Sequence, residues 1–550
     1  MTRILIARGK IVDGAGNPWF MGDLLIEDDR IAAIAPVGVI DQKSVDEVVD
    51  AASHVVAPGF IDIQSHSITP FLTDRRAISK VSQGVTTEIM GEAWTPSPFG
   101  GRIKAPFEQG LKRRVGDSFD EWMERAKGWT RFGDWLEDLE GRGVSVNVGS
   151  FIGGATVREF ARGEEMGPSS PEEIETMRRV MAEAMEDGAF GVATALIYPP
   201  GSYADTDELV AVCEVVARYH GVHITHMRSE EGRILTALEE TLEIAERTGV
   251  STEIYHLKAA GEQNWPKMAQ VIARINEARA AGIDVTSDMY PYDSGGTGMT
   301  AMVPPSAEEG GKLFERLRNP EERQRIADEM RTAADADVDW ANFGNVAGAH
   351  NILIAAPEHP DIARYEGWWL SDIALDRGQD WVDAALDLLA IEGHNIFAFY
   401  RMMSEENQIL QLQQPWMKIS TDAGGIDPET AKSLGLTHPR AYGTYTRVLG
   451  HFVRDLQAIP LEDAVRKMSG AVAARLGLWD RGMLRPGMAA DIVIFDPATV
   501  DEVGTYADPH HCSIGVRDVW VNGGRVWRDG AHTGELPGRR VDGPGRSRTS

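Results

Sequence analysis

The chain has 550 residues, 43% of them hydrophobic, and a formal net charge of −29 at neutral pH. That length exceeds one small domain; at roughly 150 residues per unit it asks for a large barrel with a smaller companion, or for several units. The acidic balance argues against nucleic acid and anionic membrane as partners, since both repel an acidic surface.

The first stretch alternates short apolar runs with turns. Ile4–Ala7, Lys10–Val12, Asp23–Ile26 and Arg30–Ile34 are punctuated by Asp13-Gly14 and Gly16-Asn17-Pro18, which reads as small β structure. The middle then alternates strand and helix. Apolar, β-branched runs fall at Ile61–Gln64, Val85–Met90, Val144–Gly149, Phe190–Ala195, Val222–Thr225, Thr252–Tyr255, Ile283–Ser287 and Met417–Ser420. Amphipathic helices lie between several of them. The clearest has Ser170 as N-cap, Pro171 in its first turn, Glu173 closing a capping box and Gly188 as its stop. Two more run from Leu235 to Arg247 and from Met268 to Ala280. Eight strands in βα alternation predict an α/β fold, a (βα)8 TIM-like barrel, with an insertion around residues 289–416. β texture returns in Asp491–Phe495 and in Val519–Trp527, two short strands around an Asn522-Gly523 turn. Both termini therefore build one small β domain. The expected division is 1–57 and 478–538 for that domain, 58–477 for the barrel, and a Gly/Arg/Ser-rich disordered tail over 539–550. No apolar run approaches the roughly 20 residues of a membrane span. Met1–Leu5 shows no signal-peptide pattern, and Cys213 and Cys512 cannot build a disulfide framework, so the expected address is cytoplasmic.

Active sites of such barrels line the C-terminal ends of the strands. Those ends carry Gln64 and His66 on strand 1, Glu92 on strand 2, His226 on strand 5, His256 on strand 6 and Asp422 on strand 8. All but Gln64 are common metal ligands. Singly, each has an ordinary reading as a core histidine, a turn aspartate or a solvated loop carboxylate. Jointly, at one end of the strands, they point to a metal site. His220, His223, His350, His510 and His511 lack that placement and read as structural or surface residues.

The segments Ala57-Pro58-Gly59-Phe60-Ile61-Asp62, Gln83-Gly84-Val85-Thr86-Thr87, Thr225-His226-Met227-Arg228 and His256-Leu257-Lys258 resemble the amidohydrolase superfamily. Tyr290-Pro291-Tyr292, His438-Pro439-Arg440-Ala441-Tyr442-Gly443 and Gly487-Met488-Ala489-Ala490-Asp491 are similar to its N-acyl-D-amino-acid deacylase (D-aminoacylase) branch. The resemblance covers nearly the whole chain. It implies the barrel, a β-sandwich from both termini, a divalent metal (in most members zinc), and hydrolysis of a C–N bond. Two positions depart from the pattern: Gln64 replaces the first histidine of the strand-1 His-x-His pair, and Ala93 stands where the deacylases carry a metal-binding cysteine. Glu92, one residue earlier, can supply the oxygen instead. The expected ligands are Glu92, His226 and His256, with His66 as a weak ligand or hydrogen-bond partner and one zinc per chain.

The family further implies Asp422 as general base and acid, Tyr290 as donor to the oxyanion, His66 beside the nucleophile, and Lys258, Tyr198 and Arg440 as partners of a substrate carboxylate. The reading is thus hydrolysis of a small-molecule amide, an N-acyl amino acid of D configuration. Two alternatives stay open: a superfamily member acting on a cyclic or unrelated amide, as hydantoinases and dihydroorotases do, and a non-catalytic relative with a degenerate metal site. The oligomeric state is left open, a homo-oligomer included.

Overall fold

The computed structural model describes residues 2–107, 111–332 and 340–546. Its architecture is a (βα)8 barrel with a β-sandwich domain from both termini. Five N-terminal strands (Arg3–Ile11, Phe20–Glu27, Arg30–Ala35, Glu47–Asp50 and Val55–Pro58) share one sheet with Ile492–Phe495, Val516–Val521, Gly524–Arg528 and Ala531–His532. The two ends of the chain meet where Val55–Pro58 pairs antiparallel with Ile492–Phe495. Alternation along each strand decides its two faces. Val56, Ile492, Ile494 and Trp520 pack with Ile4, Ile6 and Leu24 in the sheet's own core. Val55, Ala57, Val493, Phe495, Val519 and Val521 face the other way and join the barrel's core. The run Ile4–Ala7 and the start of Lys10–Val12 prove to be parts of one strand ending at Ile11, in which Arg8, at φ 63°, sits where the register shifts as a bulge. In the C-terminal hairpin Asn522 and Gly523 both have positive φ (46° and 78°), as a type I′ turn requires.

The barrel strands are Phe60–Asp62, Val85–Met90, Asn147–Ser150 continued by Ile152–Gly153, Gly191–Ala195, Val222–His226, Ser251–Ile254, Val285–Met289 and Met417–Ile419, with parallel pairing throughout. The ring closes where Asp422 N donates to Gln64 O (3.0 Å) and His66 N to Ala423 O (3.1 Å). Beneath that seam Lys80 is fully buried and donates to Asp62 Oδ2 (2.6 Å), Thr421 Oγ1 (2.6 Å) and Ala423 O (2.7 Å), tying the first strand to the eighth. The helix Pro171–Glu186 carries both halves of its capping box and buries Met177, Val180, Met181, Ala184 and Met185 against the strands. Between Met289 and Met417 a three-stranded antiparallel sheet, Ser294–Gly298, Phe397–Arg401 and Ile352–Ile354, has a helical cover and its own core around Ile326, Met330, Leu386 and Leu389.

The segment read as a disordered tail is ordered through Arg546. Gly538 N donates to Val144 O, Val541 N to Val148 O and Gly543 N to Gly188 O. The third barrel strand pairs with the fourth only at Ile152–Gly153, so its lower half has an open edge, and the tail backbone satisfies that edge. Val541 then joins Phe190, Val222 and Ile224 in the barrel core. Residues 547–550 of that expectation lie outside the described residues. Among the described residues no helix is long and apolar enough to cross a membrane.

Candidate active site

A cavity of about 360 Å³ opens at the C-terminal ends of the strands. His66, Glu92, Tyr198, His226, His256, Lys258, Tyr290, Asp422 and Arg440 all line it, and Gly295–Gly298 of the insertion form part of its wall. Gln64 lies just below, 1% exposed. The sequence-predicted residues are therefore brought together in one place.

Glu92 stands at the centre. It follows Gly91, whose φ of 108° and whose absent Cβ, which would lie 2.2 Å from Phe151 O, make glycine necessary for the turn. Glu92 Oε1 lies 3.4 Å from His226 Nδ1 and 3.6 Å from His256 Nε2. Its other oxygen, Oε2, accepts from Gln64 Nε2 (2.5 Å) and lies 3.3 Å from His66 Nε2. Burial alone would raise this carboxyl's pKa, but His226, His256 and His66 hold it well below the usual carboxylate range. The two imidazoles meet edge to face at 4.4 Å. His226 is buried, yet neither of its ring nitrogens makes a well-directed hydrogen bond among the described residues. One carboxylate and two histidines able to offer their ligand atoms within 4.8 Å of one another, with an orphaned imidazole among them, fit a divalent metal.

Asp422 and His66 make the second half of the site. Asp422 Oδ1 is 2.9 Å from His66 Nε2 and accepts from Gln64 Nε2 at 3.1 Å, while Oδ2 faces Arg440 Nη1 at 2.8 Å. Burial alone would raise the Asp422 pKa; Arg440 and His66 lower it, so the carboxylate is ionised. Enclosure alone would lower the His66 pKa, and its hydrogen bonds to Asp422 and Glu92 instead push it up to about 9. His256 and Asp422 both adopt left-handed backbone (φ 32° and 48°), a conformation costing about 1–3 kcal/mol for non-glycine residues and concentrated at functional sites. Tyr198 Oη bonds Thr297 Oγ1 (2.7 Å), and Arg440 donates to Gly296 O (3.1 Å) while its Nε has no hydrogen-bond partner among the described residues.

Two participants escaped the sequence reading. Glu230, 2% exposed, lies 3.2 Å from His226 Nε2, 3.1 Å from His256 Nδ1 and 2.7 Å from Lys258 Nζ. Burial would raise its pKa, but His226, Lys258 and His256 hold it well below the carboxylate range. Both histidines thus turn one nitrogen to Glu230 and the other to Glu92, an arrangement that fixes ring orientation. The only sequence signal was its spacing four residues after His226. Asp288 accepts from His256 N (3.0 Å) and from Ser420 Oγ (2.6 Å). It was missed although it directly follows the expected strand end at Ser287; the strand itself runs on to Met289.

A family model described as "Amidohydrolase family" matches residues 436–527. The D-aminoacylase of Alcaligenes xylosoxydans xylosoxydans is 33% identical over 98% of this chain and 96% of its own. A solved D-aminoacylase, described as having a binuclear metal centre with one-metal activation and second-metal attenuation, matches with a TM-score of 0.80 at 30% identity, covering 98% of this chain and 99% of its own. The N-acyl-D-glutamate deacylase of Bordetella bronchiseptica, solved with zinc and a phosphonate mimic of the tetrahedral intermediate, matches at 0.79 and 29% identity over the same shares.

Proposed function

Because this chain belongs to the N-acyl-D-amino-acid deacylase (D-aminoacylase) family of amidohydrolases, we propose that it hydrolyses the amide bond of N-acyl-D-amino acids, releasing a carboxylate and a D-amino acid. The observation that carries the proposal is the convergence of Glu92, His226 and His256 beside an ionised Asp422 in one cavity. Glu92, His226 and His256 would hold one zinc. When bound, the metal supplies Lewis acidity to a carbonyl and acidifies a water.

The protein's own groups divide the remaining work. Asp422 takes the proton from the attacking water and returns it to the departing amine nitrogen, which would otherwise be a poor leaving group. His66, 2.9 Å from Asp422, orients that carboxylate. Tyr290, buried with its ring under the Arg440 guanidinium (4.6 Å), donates its hydroxyl to the carbonyl oxygen as charge develops there. The substrate α-carboxylate is met by Arg440, whose Nε has no acceptor among the described residues, by Lys258 and by Tyr198. The positive groups of the cavity suit an acidic substrate even though the whole molecule is acidic.

Asp422→Asn keeps the side chain's size and removes the proton acceptor. The variant is expected to lose turnover by about 10²–10⁴-fold, the usual worth of general acid–base catalysis, while retaining its zinc. Turnover near the parent value would remove Asp422 from the mechanism.

A further inference from the structure

Gln64 lies two residues past the first barrel strand, at the floor of the cavity, and its side chain does more than fill the space. It is 1% exposed, with its carbonyl Oε1 3.3 Å from the Ser420 hydroxyl. Its amide Nε2 faces two carboxylate oxygens, Glu92 Oε2 at 2.5 Å and Asp422 Oδ1 at 3.1 Å. These are the oxygens that, with His66 Nε2, form a second group of potential metal ligands on the opposite side of Glu92 from His226 and His256. An amide nitrogen has no lone pair to give a metal, and its two hydrogens suit two anionic acceptors. To admit a cation among Glu92, Asp422 and His66, the amide would have to turn its oxygen inward and abandon both charge-assisted hydrogen bonds.

We infer that Gln64 takes the place of a second metal ion, its amide bridging Glu92 and Asp422 so that the centre is mononuclear by construction and indifferent to excess zinc. The inference rests on the reading that Glu92, His226 and His256 hold one metal. It assigns this residue a role in setting metal number and in keeping Asp422 Oδ1 hydrogen-bonded but uncoordinated.

The test is zinc stoichiometry by elemental analysis after equilibration with excess zinc and gel filtration. It is run on a His394→Ala background, because Glu358, Glu392 and His394 form another group of potential ligands in the insertion. The expected result is one zinc per chain, with turnover unchanged as free zinc rises, and two per chain once Gln64→His is introduced. Two zinc ions in the chain that keeps Gln64 would overturn the inference while leaving the hydrolase reading intact. One zinc in a folded Gln64→His variant would also overturn it, since Gln64 would then not be what limits the count. No zinc at all would overturn the one-metal reading, and this inference with it. The count on the Gln64 chain stands whether or not the histidine variant folds.

Discussion

Replacing Glu230 by glutamine preserves shape and removes one buried charge. Three contacts change together: His226 Nε2 at 3.2 Å, His256 Nδ1 at 3.1 Å and Lys258 Nζ at 2.7 Å. A carboxylate that orients metal-binding imidazoles is worth about 10–100-fold in metal affinity, or about 1.4–2.8 kcal/mol at 1.4 kcal/mol per tenfold. The lysine is buried as well, and stripping one partner from a buried pair costs about 3–5 kcal/mol, so Glu230→Gln is expected to lower thermal stability even without metal. Competition with a chelator of known zinc affinity measures the first effect, and melting of metal-free protein measures the second. Zinc affinity within about twofold of the parent, less than half a kcal/mol, would refute the role of Glu230 as the anchor of both histidines.

Lys80→Met removes the cation beneath the barrel seam and leaves Asp62 and Glu88 buried without it (Lys80 Nζ lies 2.6 Å and 3.6 Å from them), so a loss of about 3–5 kcal/mol in denaturant unfolding is expected. A change below about 1 kcal/mol would show that the two carboxyls are compensated otherwise. His223 is fully buried, and burial pushes its pKa down from 6.5 to about 4. The unfolded chain therefore binds a proton that the folded one refuses. This residue's contribution is intact above pH 6.5 and is lost as pH falls from 6.5 towards 4, by about 3 kcal/mol. His223→Gln should flatten the pH dependence of stability in that window alone, and an unchanged slope would contradict the assignment.

The strand ends were legible because a barrel strand is a short apolar run, and the first polar residue after it faces the mouth. Glu92, His226, His256 and Asp422 are found that way. Glu230 is not, since it lies in a connecting segment and reaches the histidines by folding back, which leaves no periodicity to read. Asp288 met the same criterion, since it directly follows the expected strand end at Ser287, and was passed over; the strand runs on to Met289 because its ladder with Met417–Ile419 includes both residues. The ordered tail was hidden for a related reason: its first contacts are backbone hydrogen bonds to Val144 and Val148, and Gly/Arg/Ser composition says nothing about backbone pairing. The Asn522-Gly523 hairpin and the Ser170 capping box were legible because their chemistry is local.

The most direct test of the account is hydrolysis of paired N-acyl-D- and N-acyl-L-amino acids by the zinc-loaded protein, the same protein after chelation, and the chelated protein given zinc again, with hydantoins as a control. The account predicts release of the D-amino acid, loss on chelation and recovery with zinc, while the L-enantiomers and hydantoins are left intact. A zinc-loaded protein that cleaves none of the N-acyl-D-amino acids, or one whose turnover is untouched by removal of the metal, would contradict it.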